Sequence, residues 1–270
     1  MITQEPIFVG EPPHRLARFG RKFMIAAHHV GVATLMILKA FAYMPWLLKP
    51  RYRRMGAEQF YFTGIRSLGV LSVVAMFTGM IFAVQIGLEL QMYHAEENVA
   101  AGVMVTMLRE MGPFMTALII AASVGSAIAA QIGTMTVSEE IAALEIMAID
   151  PIRFLVMPRL AALSFLMPIL TVFTDMLAFF GAAVVSRSQF DVPVEVFVDV
   201  ALDFATNKDL YVGLFKAWIF GIIICAVACF QGFYTRDGAV GVGRATRKTV
   251  VVAFLTILVT GFIITRLFYG

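Results

Sequence analysis

Charge is scarce in this chain: Asp, Glu, Lys and Arg make up 14% of 270 residues, against about 25% in an ordinary soluble domain. Cysteine is scarcer still. Cys225 and Cys229 stand alone, four apart in an apolar run. That spacing puts both on one helix face with poor bridging geometry, so a disulfide scaffold is excluded. His14, His28, His29 and His94 show no H-x-x-x-H spacing and have no cysteine partner, which leaves no metal-site signature. Residues 1–20 hold Pro, Glu and Arg but lack the apolar core of a signal peptide, so the N-terminus is expected to be retained and cytoplasmic. No basic stripe with interleaved aromatics occurs, and nucleic acid is not expected as a partner. H-E-x-x-H and G-x-S-x-G are absent too, so no catalytic residue is assigned.

Hydrophobicity is what the chain has in excess. Apolar residues reach 60%, with 24 Phe and 17 Met, and the mean hydropathy is +0.85. A soluble core of this size cannot hide so much apolar surface, so the fold class reads as an all-α, polytopic helical membrane protein. Five stretches approach the ~20 apolar residues a span needs. These are Leu68–Leu88, Val99–Ile132, Leu160–Val185, Leu210–Phe233 and Thr249–Thr265. In lipid the backbone must satisfy its own hydrogen bonds, which makes them helices. Residues 23–48 are also apolar, but the run free of polar interruption is only Val30–Leu38. They read as an interfacial or re-entrant helix rather than a sixth span.

The basic residues orient the spans. Ten of the 21 Lys and Arg fall within residues 1–66, and Arg236, Arg244, Arg247 and Lys248 lie between the fourth and fifth spans. The 89–98 loop has none, and the 186–209 loop is dominated by Asp191, Glu195, Asp199, Asp203 and Asp209. Positive residues stay inside. The N-terminus and the 133–159 and 234–248 loops are therefore expected in the cytoplasm, and the C-terminus outside.

Several constellations stand out. In the second span Ala121, Gly125, Ala129 and Gly133 recur every four residues, with Ala122, Ser126 and Ala130 beside them. Such a ridge lets another helix approach closely, within the subunit, between subunits or along a substrate wall. The following loop has Thr136 and Glu139 at capping-box spacing. Ile141, Leu144 and Ala148 form a short apolar stripe, with Glu139, Glu140 and Glu145 mostly off it. Asp150-Pro151 is expected to stop this helix. Alone, so short a helix is marginal, which points to a docked cytoplasmic partner. Charges inside spans cost ~2.5–3.5 kcal/mol each and usually face a cavity or partner. Arg109 and Glu110 point about 100° apart on one helix, before an expected break at Gly112-Pro113. Lys216 is placed to snorkel or pair, and Asp175 lies mid-span. Gly238–Thr246 (GAVGVGRAT) is glycine-rich, but Arg244-Ala245 follows Gly243 where a phosphate loop needs Lys-Ser/Thr.

Four motifs together resemble the MlaE/YrbE permease family in order and spacing. They are LREMGP (Leu108–Pro113), GSAIAAQIGTM (Gly125–Met135), EE-x-x-AL-x-x-M-x-x-DP-x-x-x-LV-x-PR (Glu139–Arg159) and GA-x-GVG-x-AT (Gly238–Thr246). The resemblance covers about residues 55–270. It implies a permease domain over residues 56–270, preceded by a cytoplasmic N-terminus and interfacial helix over 1–55. It implies a non-catalytic subunit of an ABC transporter that moves phospholipid between the inner and outer membranes and maintains outer-membrane asymmetry. The expected partners are a second copy of the chain, an ABC ATPase subunit, a periplasmic MCE-domain protein and phospholipid in the bacterial inner membrane. ATP and Mg would sit in the ATPase, and this chain would hold no cofactor. The resemblance assigns Arg109, Glu110 and Lys216 to a lipid cavity at the dimer interface, walled by Leu71, Met80 and Phe82. It assigns Glu139, Glu140, Ile141, Leu144, Met147, Asp150 and Pro151 to ATPase coupling. Ser123 and Gln131 stand where relatives commonly carry Arg and Glu. Two alternatives remain: a permease for another lipid or sterol, or an ATP-independent transporter or channel relaying through Asp175, Lys216, Arg109 and Glu110.

Overall fold

The computed structural model describes residues 15–270, and these contain helices but no strand. Expectations for residues 1–14, including the cytoplasmic N-terminal tail, lie outside the described residues. Among those described, five helical stretches are long and apolar enough to cross a membrane: Arg54–Gln91, Glu96–Val137, Ile152–Gln189, Asn207–Phe233 and Gly238–Tyr269. The chain is thus an all-α, multi-pass membrane protein. Each stretch is longer than its apolar window because polar ends continue the helix into the interfacial zone, where water and headgroups tolerate them.

The helix α1 (Arg15–Ala42) precedes the spans. At ~1.5 Å per residue its apolar part, Ala27–Ala42, reaches roughly 24 Å, short of the ~30 Å hydrocarbon core. A 3₁₀ turn (Met44–Leu48) leads into α2 (Pro50–Thr63), and Gly64 joins α2 to α3 (Ile65–Gln91).

The second span is not broken at Gly112-Pro113, contrary to expectation. It runs as α4 (Val99–Thr106), a π-turn (Met107–Met111), α5 (Gly112–Ile120), a second π-turn (Ala121–Gly125) and α6 (Ser126–Val137). The wider turn absorbs the proline, whose ring has no N–H to give the carbonyl four residues back.

A short helix, α7 (Glu140–Ile146), connects to the third span, which opens with a π-turn (Ile152–Val156) and continues as α8 (Met157–Gln189). The expected capping box is not formed. Thr136 lies inside α6, where its hydroxyl meets the carbonyls of Ile132 (2.8 Å) and Gly232 (3.1 Å). Ser138 contacts Glu140 instead, and Glu139 is left-handed at φ 61°. Nor does Asp150 end α7. The helix stops at Ile146, before left-handed Ala148 (φ 56°), and Asp150 accepts from the Ile152 N–H at 2.9 Å to start the third span.

The 186–209 segment holds a helix where a loop was expected: α9 (Val194–Phe204). Its acids, Glu195, Asp199 and Asp203, fall at i, i+4 and i+8 on an exposed face, and Phe197 and Ala201 are buried on the other. The last two spans are α10 (Asn207–Phe233) and α11 (Gly238–Tyr269). The glycine-rich GAVGVGRAT is the first part of α11, not a loop.

Small residues decide how the spans pack. Gly79 of α3 lies against the backbone of Ala178 in α8, and Gly181 of α8 against the backbone of Met76 in α3. A Cβ at either position would overlap the opposing main chain. The helix α10 runs through the main core and buries Phe220, Ile224, Cys225, Ala228 and Cys229. A smaller cluster at the opposite end joins Val99, Val103 and Met107 to Phe197 and Ala201. The ridge of Ala121, Gly125, Ala129 and Gly133 faces inward and packs within the protomer, with Gly125 beside Ile224. Ala122 and Ser123, on the neighbouring face, are exposed.

Candidate functional site

The charged residues of the second span meet partners from α10 and α11. Pro113 cannot donate to the carbonyl of Arg109, four residues earlier. The ammonium of Lys216, on α10, takes that carbonyl at 2.7 Å. Its other protons go to Glu110 Oε1 at 2.7 Å and Thr265 Oγ1 at 2.8 Å. The three donors of Lys216 are thus all used, and the residue is 1% exposed. It does not snorkel; it is a buried cross-link among three spans.

Arg109 turns the other way, as an i, i+1 neighbour must. Its Nε meets Asp209 Oδ1 at 2.5 Å and its Nη2 meets Oδ2 at 3.2 Å, a bidentate pair. Asp209 is fully buried and also accepts from the Tyr269 hydroxyl (2.7 Å) and the Thr206 hydroxyl (2.7 Å). The guanidinium stands 4.8 Å from the Tyr269 ring centroid. Two ion pairs therefore neutralise four intramembrane charges, and each pair joins the π-turn to α10. Asp175, the remaining mid-span acid, lies against Gly112, and its Oδ1 is buried without a hydrogen-bond partner.

Beside the Lys216 cluster opens a cleft of about 280 Å³ between α5, α10 and α11. Met111, Phe114, Phe220, Leu258 and Phe262 wall it, and Glu110 and Thr265 supply its polar groups. An apolar wall with a polar rim fits an amphiphile. The first-span residues expected as cavity wall do not border this cleft. Leu71 is fully buried in the main core, Phe82 packs on the smaller cluster and Met80 is half-buried. The reason is the close α3–α8 approach, which turns the inner face of α3 onto α8.

Sequence reasoning counted Asp209 among loop acids and missed Thr206, Thr265 and Tyr269. One signal was present: Thr206 and Asp209 are three apart at the start of an apolar run, and Thr206 Oγ1 accepts from the Asp209 N–H at 3.3 Å. Thr265 and Tyr269 carry no such signal, since only the antiparallel return of α11 brings them near Arg109 and Glu110. Ser123 donates to its own helix carbonyl at Ile119 (2.6 Å), whereas Gln131 accepts from buried Arg159 at 3.3 Å.

At the other end, α7 presents the residues expected to couple to an ATPase. Ile141 and Leu144 pack against the main core and hold the helix down. Glu139, Glu140 and Glu145 are exposed, with Ile146 86% and Met147 60% exposed beyond them. Pro151 is buried at the start of the third span. Asp150 accepts from the Tyr43 hydroxyl at 2.9 Å, and Arg153 stands 3.8 Å from the Trp46 ring centroid, so the 3₁₀ turn that follows α1 braces the same loop. The hydrogen bond to Asp150 raises the Tyr43 pKa above its ordinary 10.0. The tie is therefore complete below about pH 10 and is lost as pH climbs through the raised value. In a spectroscopic alkaline titration, Tyr43→Phe is expected to remove one phenol that ionises above pH 10. A titration curve identical to wild type would show that Tyr43 is not held by Asp150.

The model of the family described as Permease MlaE matches residues 57–267. The chain belongs to the MlaE permease family. A probable ABC transporter permease protein of Rickettsia prowazekii is 34% identical over 93% of this chain and 96% of its own length. A second, from Synechocystis, is 36% identical over 80% of this chain and 82% of its own. Protein trigalactosyldiacylglycerol 1 of Arabidopsis thaliana chloroplasts is 30% identical over 78% of this chain and 61% of its own. As a member of the MlaE permease family, the chain is the permease subunit of an ABC transporter, and that name implies an ATPase partner.

Proposed function

We propose that this MlaE-family permease works as a homodimer in the bacterial inner membrane and moves phospholipid between the inner and outer membranes, maintaining outer-membrane asymmetry. An ABC ATPase docks on α7, and a periplasmic MCE-domain protein receives or delivers lipid at the opposite end. The observation that carries this reading is α7 itself. It is a seven-residue helix in a loop, held to the core by Ile141 and Leu144, with Ile146 and Met147 turned away from the protein. Large apolar side chains so exposed, flanked by three acids, suit a groove on a partner.

The cargo reading rests on the cleft. Acyl chains sit against Phe114, Leu258 and Phe262, and the Glu110–Lys216 cluster meets the polar head. The exposed Ala122 and Ser123, next to the buried ridge, offer a smooth face for the second copy. One relative is named for trigalactosyldiacylglycerol, a diacyl lipid, which fits a lipid cargo. ATP-driven movement of α7 would close the dimer and displace lipid, because the collapsed cavity binds it less well. With α7 and the turn between α10 and α11 on the cytoplasmic side, the C-terminus is periplasmic.

Ile146→Asp together with Met147→Asp tests the docking. Neither side chain supports the core, so the permease should still fold. Loss of an interface hot spot of ~2 kcal/mol corresponds to roughly 30-fold weaker association. The ATPase is expected not to co-purify, and lipid-stimulated ATP hydrolysis in proteoliposomes to collapse. Retention of both in the double variant would show that the ATPase docks elsewhere.

A further inference from the structure

We propose that a groove between α1 and the α10–α11 pair is a second lipid site, separate from the α5–α10–α11 cleft, and that it holds one anionic glycerophospholipid of the leaflet on the side of the turn between α10 and α11. The groove encloses about 560 Å³, twice the cleft, and falls within the ~300–1,000 Å³ of ligand pockets. Residues 30, 33, 37 and 41 of α1 recur at helical spacing along one wall, and Ile223 and Val227 of α10 and Val252 of α11 form the others.

The chemistry changes along its length. Thr34 and Thr256 reach the lining, but their hydroxyls are spent on their own helices, at Val30 O (2.8 Å) and Val252 O (2.8 Å). Each hydroxyl has therefore already given its proton to its own helix. The other polar side chains lining it are His29, Gln231 and Lys248, all toward the groove end nearer the turn between α10 and α11, with Lys248 ten residues into α11. The His29 ring packs against Phe230, centroids 5.2 Å apart. Arg244 is paired with Asp237, and Arg247 donates to Gly243 O. Lys248 has no hydrogen-bond or ion-pair partner among the described residues. A long apolar channel that ends in an unneutralised ammonium matches an acyl chain beneath an anionic head.

A channel between membrane helices cannot hold water cheaply, so it fills with chains. A chain gains no hydrophobic energy by leaving the bilayer for the groove. Selectivity must therefore come from the head, where one lysine favours an anionic lipid by about fivefold. The site needs only membrane residence, so it stands whatever cargo the transporter carries.

The test uses the permease–ATPase complex in vesicles of phosphatidylglycerol or phosphatidylcholine, each with a photoactivatable acyl chain. In wild type, phosphatidylglycerol is expected to label the Val30–Phe41 and Ile222–Gln231 segments about fivefold more than phosphatidylcholine. Lys248→Gln, at the exposed surface, should equalise the two lipids. Ala226→Trp, which fills the groove, should abolish labelling there, and protection of Cys225 and Cys229 from maleimide reports that it remains folded. Equal labelling by both lipids in wild type, full labelling in Ala226→Trp, or no labelling of these segments by either lipid, as expected if a second protein surface covers the groove, would each overturn the site. Lipid-stimulated ATP hydrolysis is read on the same vesicles. Failure of phospholipid transport with groove labelling intact refutes the cargo reading and leaves this site standing.

Discussion

Lys216→Met is expected to destabilise the permease by about 2–3 kcal/mol. Breaking a buried ion pair by removing one partner usually costs ~3–5 kcal/mol, because the other charge is left behind. Here Glu110 is 39% exposed and can rehydrate through the cleft, so the lower figure applies. Methionine fills much the same volume but leaves two further groups without a donor: the Arg109 carbonyl freed by Pro113, and the Thr265 hydroxyl. The measurement is maleimide labelling of Cys225 and Cys229 during heating, since both thiols are buried in the folded state. The midpoint should fall by roughly 5–10 °C. Glu110→Gln added to Lys216→Met should recover part of the loss, because the stranded carboxylate is gone. Additive losses from the two substitutions would show that the pair is not coupled.

Gly79→Ala should be nearly as damaging, for a steric reason. Its Cβ would fall on the carbonyl group of Ala178, and a main chain cannot swing aside as a side chain can. The substitution must push α3 from α8 over the most extensive helix–helix contact among the described residues. Overpacking costs ~1–3 kcal/mol and occasionally more, and a backbone obstacle places this case at the upper end. Gly69→Ala is the control on the same helix, with nothing within 4 Å of its Cβ. Alanine there should be neutral or stabilising by up to ~1 kcal/mol. Equal midpoints for Gly79→Ala and Gly69→Ala would refute the close-approach account.

Most of the architecture was legible because lipid removes alternatives. A stretch such as Leu68–Leu88, with no charge, has only the helix open to it. The errors came where local rules met tertiary contacts. Pro113 reads as a break, yet the π-turn and Lys216 satisfy what the proline leaves open. Thr136 and Glu139 read as a cap, yet α6 continues through Thr136 toward the Gly232 carbonyl. The acids of the 186–209 segment read as solvated loop, although their four-residue period marks one face of α9.

The residues of the candidate site divide in the same way. Arg109, Glu110 and Lys216 announced themselves, because an ionised group in a span is too costly to be idle. Their pairing did not. That Lys216 takes Glu110 and Arg109 takes Asp209 depends on how α10 passes the second span, and Thr265 and Tyr269 join only because α11 returns alongside. Composition and period alone established five spans and a short amphipathic stretch in the loop after the second, since these follow from each residue's own preference for lipid or water. Which charge neutralises which, which glycines are irreplaceable and where the grooves lie were decided by the packing of spans far apart in the chain, because hydrogen bonds and overlaps act over a few ångströms and no local pattern encodes distant neighbours.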